Sequence, residues 1–271
     1  MQINEGMTNY IYLLYGADDD CYNEAAYSIG TLRQRIDAAN SRIIIFAEQP
    51  ERVQDWPVIC ESIAGQLPAM RGKADFSHRA KLCAIQKCFE KFSGNVVYLD
   101  SDTSVGGNIT TLADQISPGT GILYEFECLN PEIGLAGFQT QLADGILYRF
   151  SAESQMYNAG VIGLHYDDRK LVNRALELCD AILNFGSRRH TVEQFSICET
   201  MRISNLKVLE ARGTICHYLQ HKYYMRAKVR ALIQKTGQPP WQIKNPIRYS
   251  RWKVYWLKKF GYYCKPQHLL K

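Results

Sequence analysis

Short apolar runs of strand type alternate with longer segments of helical periodicity along most of this 271-residue chain. The run 9-NYIYLLYG-16 precedes the segment 23–36, in which Ala25, Ile29 and Leu32 share one helical face. Such alternation predicts an α/β fold with a mainly parallel central sheet and helices on both faces. The pattern continues with predicted strands at 42–48, 95–100, 121–127 and 157–165, and predicted helices at 78–92, 167–184 and 190–201.

The composition is that of a protein with a sizeable core, since 46% of the residues are hydrophobic. No apolar run approaches the roughly 20 residues that span a bilayer. The first ten residues, MQINEGMTNY, lack the basic and apolar regions of a signal peptide, so we expect a cytoplasmic protein. Nine scattered cysteines form no CxxC pair, which predicts free thiols in a reducing compartment.

Charge divides the chain into an acidic body and a basic end. Residues 211–271 hold 14 Lys and Arg but no Asp or Glu, which leaves 18 basic and 27 acidic residues before them. The proline-rich stretch 236-TGQPPWQIKNP-246 predicts a linker. We therefore expect a domain at 1–235 and a basic aromatic extension at 236–271, with a partly amphipathic helix at 247–260. A basic and aromatic segment suits an anionic partner such as lipid headgroups, nucleic acid or a phosphorylated substrate.

The stretch 96-VVYLDSDTSV-105 ends a predicted buried strand with two carboxylates, Asp100 and Asp102. In open α/β sheets, ligands bind beyond the carboxyl ends of the strands. If the chain stays extended, the two side chains point to the same side and repel unless a cation neutralises them. A hard divalent ion such as Mg²⁺ or Mn²⁺ prefers oxygen ligands and bridges to substrate phosphates. The pair therefore indicates a metal–diphosphate site.

Two other interpretations of this pair stay open. Asp100 would cap a turn while Asp102 is a solvated loop residue, as is common for isolated DxD sequences. Alternatively, the pair would belong to a phosphatase of the haloacid dehalogenase type, with a nucleophilic aspartate. Against the phosphatase, the pair lies about 100 residues into the chain, and no second acidic motif follows to complete its magnesium site.

Several stretches together resemble a glycosyltransferase with the GT-A (Rossmann-like) fold, and are most similar to glycosyltransferase family 8, the retaining galactosyltransferase and glycogenin group. The resemblance covers roughly residues 9–222. It rests on these segments, in order along the chain: 11-IYLLYGADDDCYNEAAYSI-29, 79-RAK-81, 95-NVVYLDSDT-103, 157-YNAGVIGLH-165, 190-HTVEQFSI-197 and 216-CHYLQHK-222.

The resemblance implies roles for individual residues. By this resemblance, Asp100, Asp102 and His217 bind the metal, and the cofactor is Mn²⁺ or Mg²⁺. Glu193 and Gln194 lie where the family has an Asp-Gln pair near the anomeric carbon. Same-face attack steered by the leaving phosphate is favoured over a double displacement through Glu193. Donor binding is expected of Tyr15, Gly16, Ala17, Tyr22, Arg79, Lys81, Asp100, Ser101, Asn158, Ala159, Gly160 and Lys222.

Some of these roles have ordinary structural alternatives. Tyr22 would stack on the nucleobase or pack within a helix, and Arg79 and Lys81 would meet donor phosphates or remain solvated helix charges. Asn158 would bind sugar hydroxyls or be a satisfied strand residue. The stretch before Lys222 departs from the family pattern, because Gln220 replaces a family glycine and the spacing to the lysine is shorter by one residue.

The expected function is transfer of a hexose, with retention, from a UDP-sugar to a glycolipid or lipid-linked glycan. This would serve bacterial cell-surface polysaccharide or lipopolysaccharide synthesis. The extension at 236–271 predicts peripheral attachment to the anionic inner face of the cell membrane, with no nucleic acid as partner. Alternatives are a sugar-phosphate nucleotidyltransferase, which lacks its usual glycine-rich loop here, and a basic nucleic-acid-binding protein.

Overall fold

The computed structural model describes residues 6–243 and residue 247. The strands are β1 Thr8–Leu14, β2 Ser41–Ala47, β3 Ile59–Ser62, β4 Asn95–Leu99, β5 Thr103–Val105, β6 Thr120–Leu129, β7 Gln139–Gln141, β8 Leu147–Arg149, β9 Gln155–Leu164, β10 Lys207–Glu210 and β11 Ile215–His217. The helices are α1 Asp19–Arg33, α2 Leu67–Arg71, α3 Arg79–Lys91, α4 Ile109–Ala113, α5 Lys170–Phe185, α6 Val192–Ile203 and α7 Lys222–Thr236.

Seven strands form the central sheet in the order β10-β6-β9-β4-β1-β2-β3. Strand β9 runs antiparallel to both of its neighbours, β4 and β6, while the other four pairings are parallel. Two small sheets, β11-β5 and β7-β8, lie outside it. The predicted α/β fold with a mainly parallel sheet is confirmed.

Alternate residues of β1 enter cores on opposite faces of the sheet, as the pleat of a strand requires. Ile11 packs in the core that holds residues of α3, α5 and α6. Tyr10 and Tyr12 pack in the core on the other face, with α1 and α4. Strands buried on both faces explain why β1, β2 and β4 are near-continuous apolar runs in the sequence.

The helices predicted at 23–36, 78–92, 167–184 and 190–201 are present, although their ends differ from the prediction. Helix α1 begins at Asp19 rather than at residue 23, because the Asp18 side chain accepts a hydrogen bond from Asp20 N and caps the helix. Helix α5 ends at Gly186, whose φ of 113° is a left-handed conformation that glycine tolerates. The sequence analysis did not predict α7 or the short strands β3, β5, β10 and β11.

The stretch predicted as a linker is packed onto the body as far as the structure describes it. A 3₁₀ turn at Pro240–Gln242 lies across α1, and the Trp241 ring lies 5.5 Å from the Trp56 ring. Ile243 is buried against Tyr27 in a third, smaller core. The helix predicted at 247–260 lies outside the described residues, and the domain boundary at 235 stays a prediction.

The described residues include eight cysteines, and all of them are free thiols. Among the described helices, none combines the length and the apolar character that crossing a bilayer would need.

Gly30 leaves the space that lets the 3₁₀ turn dock on α1. A Cβ at residue 30 would lie 2.9 Å from Pro240 O, 3.0 Å from Ile243 O and 3.1 Å from Trp241 O, all backbone atoms that cannot rotate away. Glycine in a helix interior costs about 1 kcal/mol relative to alanine. We therefore expect Gly30→Ala to favour helix α1 yet release the turn.

Release of the 3₁₀ turn from α1 should make proteolysis near residue 240 faster. It should also change the tryptophan fluorescence, because Trp56 and Trp241 separate. Arg33→Ala, an exposed change in the same helix, is the control and should leave both readings unchanged. A Gly30→Ala variant with native protease resistance and fluorescence would contradict the expectation.

Candidate metal centre

The two carboxylates converge because the chain turns after β4. Strand β4 ends at Leu99, and the chain turns at Ser101 and Asp102 before entering β5 at Thr103. The Thr103 hydroxyl donates to Asp100 O at 2.8 Å and closes this turn. The persistent extension considered in the sequence analysis is therefore wrong. Asp102 is 3% exposed, which also excludes the solvated loop residue of the alternative interpretation.

His217 reaches the carboxylates through the pairing of β11 with β5. The two strands are antiparallel, with His217 opposite Thr103. The imidazole Nε2 lies 3.2 Å from Asp102 Oδ1 and 3.7 Å from Asp100 Oδ2. One ligand atom from each of the three residues lies within 4.8 Å of the others. The structure therefore brings together the three residues predicted to hold the metal.

Hydrogen bonds fix the tautomer of His217. Asn158 Oδ1 accepts from Gly160 N at 3.0 Å, so it must also accept at 2.9 Å from the His217 Nδ1–H. In a neutral ring, Nε2 then carries a lone pair that faces two carboxylates. His217 Nε2 is buried without a hydrogen-bond partner among the described residues, whereas Asp102 Oδ2 lies 3.1 Å from the Lys222 ammonium.

The unpartnered His217 Nε2, which faces two carboxylates, is the test of whether the residues fit a cation. Three lone-pair donors at one point repel one another unless a positive charge lies between them. Two carboxylates and one imidazole are a donor set that Mn²⁺ and Mg²⁺ accept, and a ligating histidine typically donates its other N–H as His217 does. The residues fit a divalent cation.

Gly160 provides the space for the imidazole. A Cβ at this position would lie 2.2 Å from both Cε1 and Nδ1 of His217. Its carbonyl also accepts from Asp100 N at 2.9 Å, which links β9 to the start of the turn. A glycine in the YNAG stretch is thus required by the close approach of the ring to the strand.

Two ammonium groups flank the carboxylates. Lys81 Nζ donates to Ala159 O at 3.0 Å and lies 3.3 Å from Asp100 Oδ1 and 3.6 Å from Glu193 Oε1. Lys222 Nζ lies 3.1 Å from Asp102 Oδ2. The shorter spacing before Lys222 therefore does not keep its ammonium away from the carboxylates.

The charges of this cluster follow from burial and pairing. Burial would lower the pKa of Lys81, but Asp100 and Glu193 hold this pKa well above its usual range. Burial would raise the pKa of Asp102, but His217 and Lys222 hold this pKa well below its usual range. Both groups are therefore charged at neutral pH.

Glu193 and Gln194, expected beside the anomeric carbon, have different surroundings. Glu193 is 2% exposed and lies behind Lys81, and burial raises its pKa to about 7 despite the nearby ammonium. Gln194 is half-buried; its Oε1 accepts from Ala159 N at 3.2 Å and its Nε2 donates to Glu127 Oε2 at 2.9 Å. Only Gln194 has an accessible side chain.

The predicted donor-binding residues divide into two groups. Tyr15, Lys81, Asp100, Ser101 and Lys222 line a cavity of about 260 Å³ beside the carboxylates. Asn158, Ala159 and Gly160 hold His217, Lys81 and Gln194 in place through the hydrogen bonds given above. Gly16 and Ala17 are exposed at the end of β1, and Gly16 N already donates to Glu48 Oε2 at 2.7 Å.

Arg79 and Tyr22 do not join the cluster. The Arg79 guanidinium binds Asp180 of α5 through two hydrogen bonds of 2.7 and 2.9 Å, which tie α3 to α5. Tyr22 is 4% exposed, and the Arg52 guanidinium lies 3.6 Å from its ring centroid. Donor binding by these two residues stays a prediction.

Two residues of the site were missed by the sequence analysis. Glu127 in β6 accepts from Asn158 Nδ2 at 3.1 Å and from Gln194 Nε2 at 2.9 Å, so one carboxylate orients both amides. The Tyr98 hydroxyl donates to Asp100 Oδ1 at 2.9 Å. The position of Tyr98 two residues before Asp100 was a usable signal, because both side chains leave the strand on the same side.

Comparison with known proteins finds similarity in structure alone. No protein-family model and no curated protein matches the chain. One similar solved structure is the bifunctional glycosyltransferase WbbM in its apo form, with 15% identity over 78% of this chain and a TM-score of 0.48. The chain spans 40% of the length of that protein.

A second similar structure is mouse xyloside xylosyltransferase 1, also in its apo form. It shares 14% identity over 76% of this chain and 86% of its own length, with a TM-score of 0.47. Both of these proteins are named as glycosyltransferases. The chemistry of this chain rests on its own residues.

We expect Gly160→Ala to weaken binding of Mn²⁺ by at least about tenfold, because the added methyl displaces the His217 ring and breaks its bond to Asn158. Isothermal titration with Mn²⁺ measures the loss. Gly106→Ala is the matched control, since a Cβ there meets nothing closer than Thr214 O at 4.0 Å. Unchanged Mn²⁺ affinity in Gly160→Ala would show that His217 is not a ligand.

Proposed function

We propose that this protein is a metal-dependent glycosyltransferase that moves a hexose from a UDP-sugar to a hydroxyl group of a glycolipid or lipid-linked glycan. The observation that carries the proposal is the convergence of Asp100, Asp102 and His217, flanked by Lys81 and Lys222. Carboxylates that hold a divalent cation, with ammonium groups on both sides, suit a diphosphate ligand.

The cavity next to the carboxylates agrees with a diphosphate as part of a larger ligand. Its volume of about 260 Å³ is below the roughly 300–1,000 Å³ of a typical small-molecule site. A cavity of this volume is large enough for a pyrophosphate group, while the nucleoside and the sugar would extend outside it. Tyr15 and Leu219 lie at its edge among the lining residues.

Asp100, Asp102 and His217 would hold Mn²⁺ or Mg²⁺, which when bound supplies a Lewis acid and a template for the departing diphosphate. Lys222, next to Asp102, would neutralise charge that develops on the leaving group. Gln194, fixed between Ala159 N and Glu127, would present its amide to the sugar. Glu193 is sealed behind Lys81, which supports same-face attack by the acceptor, and hence retention, over a double displacement.

Hydrolysis of UDP-sugars is the direct test. With Mn²⁺ and no acceptor, we expect the full chain to release UDP and free sugar from one of UDP-glucose, UDP-galactose or their N-acetyl forms. Asp102→Asn should lower the rate by at least about a hundredfold, because it removes a ligand charge. Asp37→Asn, an exposed carboxylate in the turn after α1, is the control and should have the wild-type rate.

The products distinguish the competing classes of enzyme. Release of UDP identifies a glycosyltransferase, whereas formation of UTP and sugar phosphate when pyrophosphate is supplied identifies a nucleotidyltransferase. Undiminished release of UDP in the presence of EDTA would refute the metal-dependent proposal.

We propose also that the basic extension at 236–271 attaches the protein to the inner face of a bacterial membrane, as in lipopolysaccharide synthesis. The support is the sequence, since this part contains Trp241, Trp252 and Trp256 and no acidic residue. Each basic residue near an anionic surface contributes roughly 1 kcal/mol, and aromatic rings favour the headgroup region.

Sedimentation with vesicles tests the attachment. The full chain should sediment with phosphatidylglycerol vesicles but not with phosphatidylcholine vesicles, and a truncation after Thr236 should remain in solution with both. Equal sedimentation of the full and truncated chains would refute the proposal.

A further inference from the structure

Helix α7 presents three cations to the acidic start of helix α1. Lys222, Arg226 and Arg230 are spaced by four residues and therefore lie along one face of the helix. Arg230 Nη1 lies 2.9 Å from Asp20 Oδ2, and Arg226 Nη1 lies 3.2 Å from Asp18 Oδ2. The first cation of the row, Lys222, reaches past α1 to Asp102 of the metal centre.

The pair of Arg226 and Glu24 is the buried centre of this contact. Arg226 Nη2 lies 3.0 Å from Glu24 Oε2, and the Glu24 side chain is 1% exposed. Among the described residues, Arg226 is the cation that forms an ion pair with Glu24. The outer pair of Arg230 and Asp20 is much more accessible, with side-chain exposures of 54% and 20%.

This difference in burial makes the inner pair the one that resists movement of α7. A buried carboxylate left without its cation is strongly destabilising, whereas an exposed pair contributes little. A rotation or tilt of α7, or a slide of less than one turn, would take Arg226 away from Glu24 without bringing Lys222 or Arg230 into its place. The same movement would take the Lys222 ammonium away from Asp102.

The short connection to β11 makes the position of α7 decisive for Lys222. Only the 3₁₀ turn Leu219–His221 and Tyr218 separate His217 from the first residue of the helix. Because the spacing is short, the direction and register of α7 determine where the ammonium lies.

We infer that Arg226, held by Glu24, is a positioning residue that places Lys222 for the leaving diphosphate. This inference rests on the function proposed above. Arg226 does not touch the metal ligands, so its effect on a diphosphate ligand passes through Lys222.

A double-mutant cycle on the full chain tests this inference, with UDP in the presence of Mn²⁺ as probe. Arg226→Met and Lys222→Met should each weaken UDP binding by about tenfold, while neither should weaken binding of Mn²⁺ alone, because loss or displacement of an ammonium group beside Asp102 takes away no metal ligand. In the Lys222→Met background, Arg226→Met should cause no further loss, because both changes remove the same contact. Arg226→Lys should restore part of the affinity.

Arg230→Met is the matched control, because it removes an ion pair between the same two helices without changing a buried charge. It should leave the affinity for UDP within about twofold of the wild type. If Arg226→Met does not fold, Glu24→Gln combined with Arg226→Met removes both buried charges and should show the same loss of UDP binding. Additive losses in the cycle, or an equal loss in Arg230→Met, would overturn the inference.

Failure of the proposed function would look different from failure of the positioning role. A wild-type chain that binds Mn²⁺ but no UDP refutes the function and leaves the geometry to be tested directly. Acetylation of Lys222 by acetic anhydride, read by mass spectrometry, should then be faster in Arg226→Met than in the wild type and in Arg230→Met. An unchanged acetylation rate would overturn the positioning role by itself.

Discussion

The repulsion among three lone-pair donors is the constraint on which the rest of the site depends. Asp100, Asp102 and His217 meet at the end of β4, and the hydrogen bond of His217 to Asn158 directs the second ring nitrogen at the carboxylates. His217 Nε2 has no hydrogen-bond partner within the described residues and lies 3.2 Å from Asp102 Oδ1. A divalent cation would resolve this conflict, and the register of the surrounding strands places the three donors together.

Distant parts of the chain supply this geometry through backbone pairing. The antiparallel strand β9 delivers Gly160 O to Asp100 N and leaves room for the imidazole. The pairing of β11 with β5 places His217 opposite Thr103, directly after Asp102. A ligand more than 100 residues from the aspartates is therefore held by a three-residue ladder, with helix α7 starting just beyond it.

The main sheet and the metal residues were predictable from sequence because strong local patterns mark them. Runs buried on both faces identify β1, β2 and β4, and the aspartates follow the last of these directly. Helix α7 and strands β10 and β11 were missed because they are short or weakly amphipathic and are held by tertiary contacts. Arg79 and Lys81 also show what the sequence could not predict. They are two residues apart on α3, but Lys81 pairs with Asp100, whereas Arg79 pairs with Asp180 of α5. Only the position of Asp180 in the folded chain determines this difference.

For the proposed transfer with retention, the carboxylates around the centre favour one of the two routes. A double displacement requires an accessible carboxylate with a free oxygen beside the anomeric carbon. Glu193 is buried behind Lys81, whose ammonium lies 3.6 Å from its Oε1, and burial raises its pKa to about 7. Glu127 is exposed, yet its two oxygens accept from Asn158 and Gln194, which lowers their reactivity. With neither carboxylate suited to attack, attack by the acceptor from the side of the departing phosphate needs only the charges and amides that the site already holds.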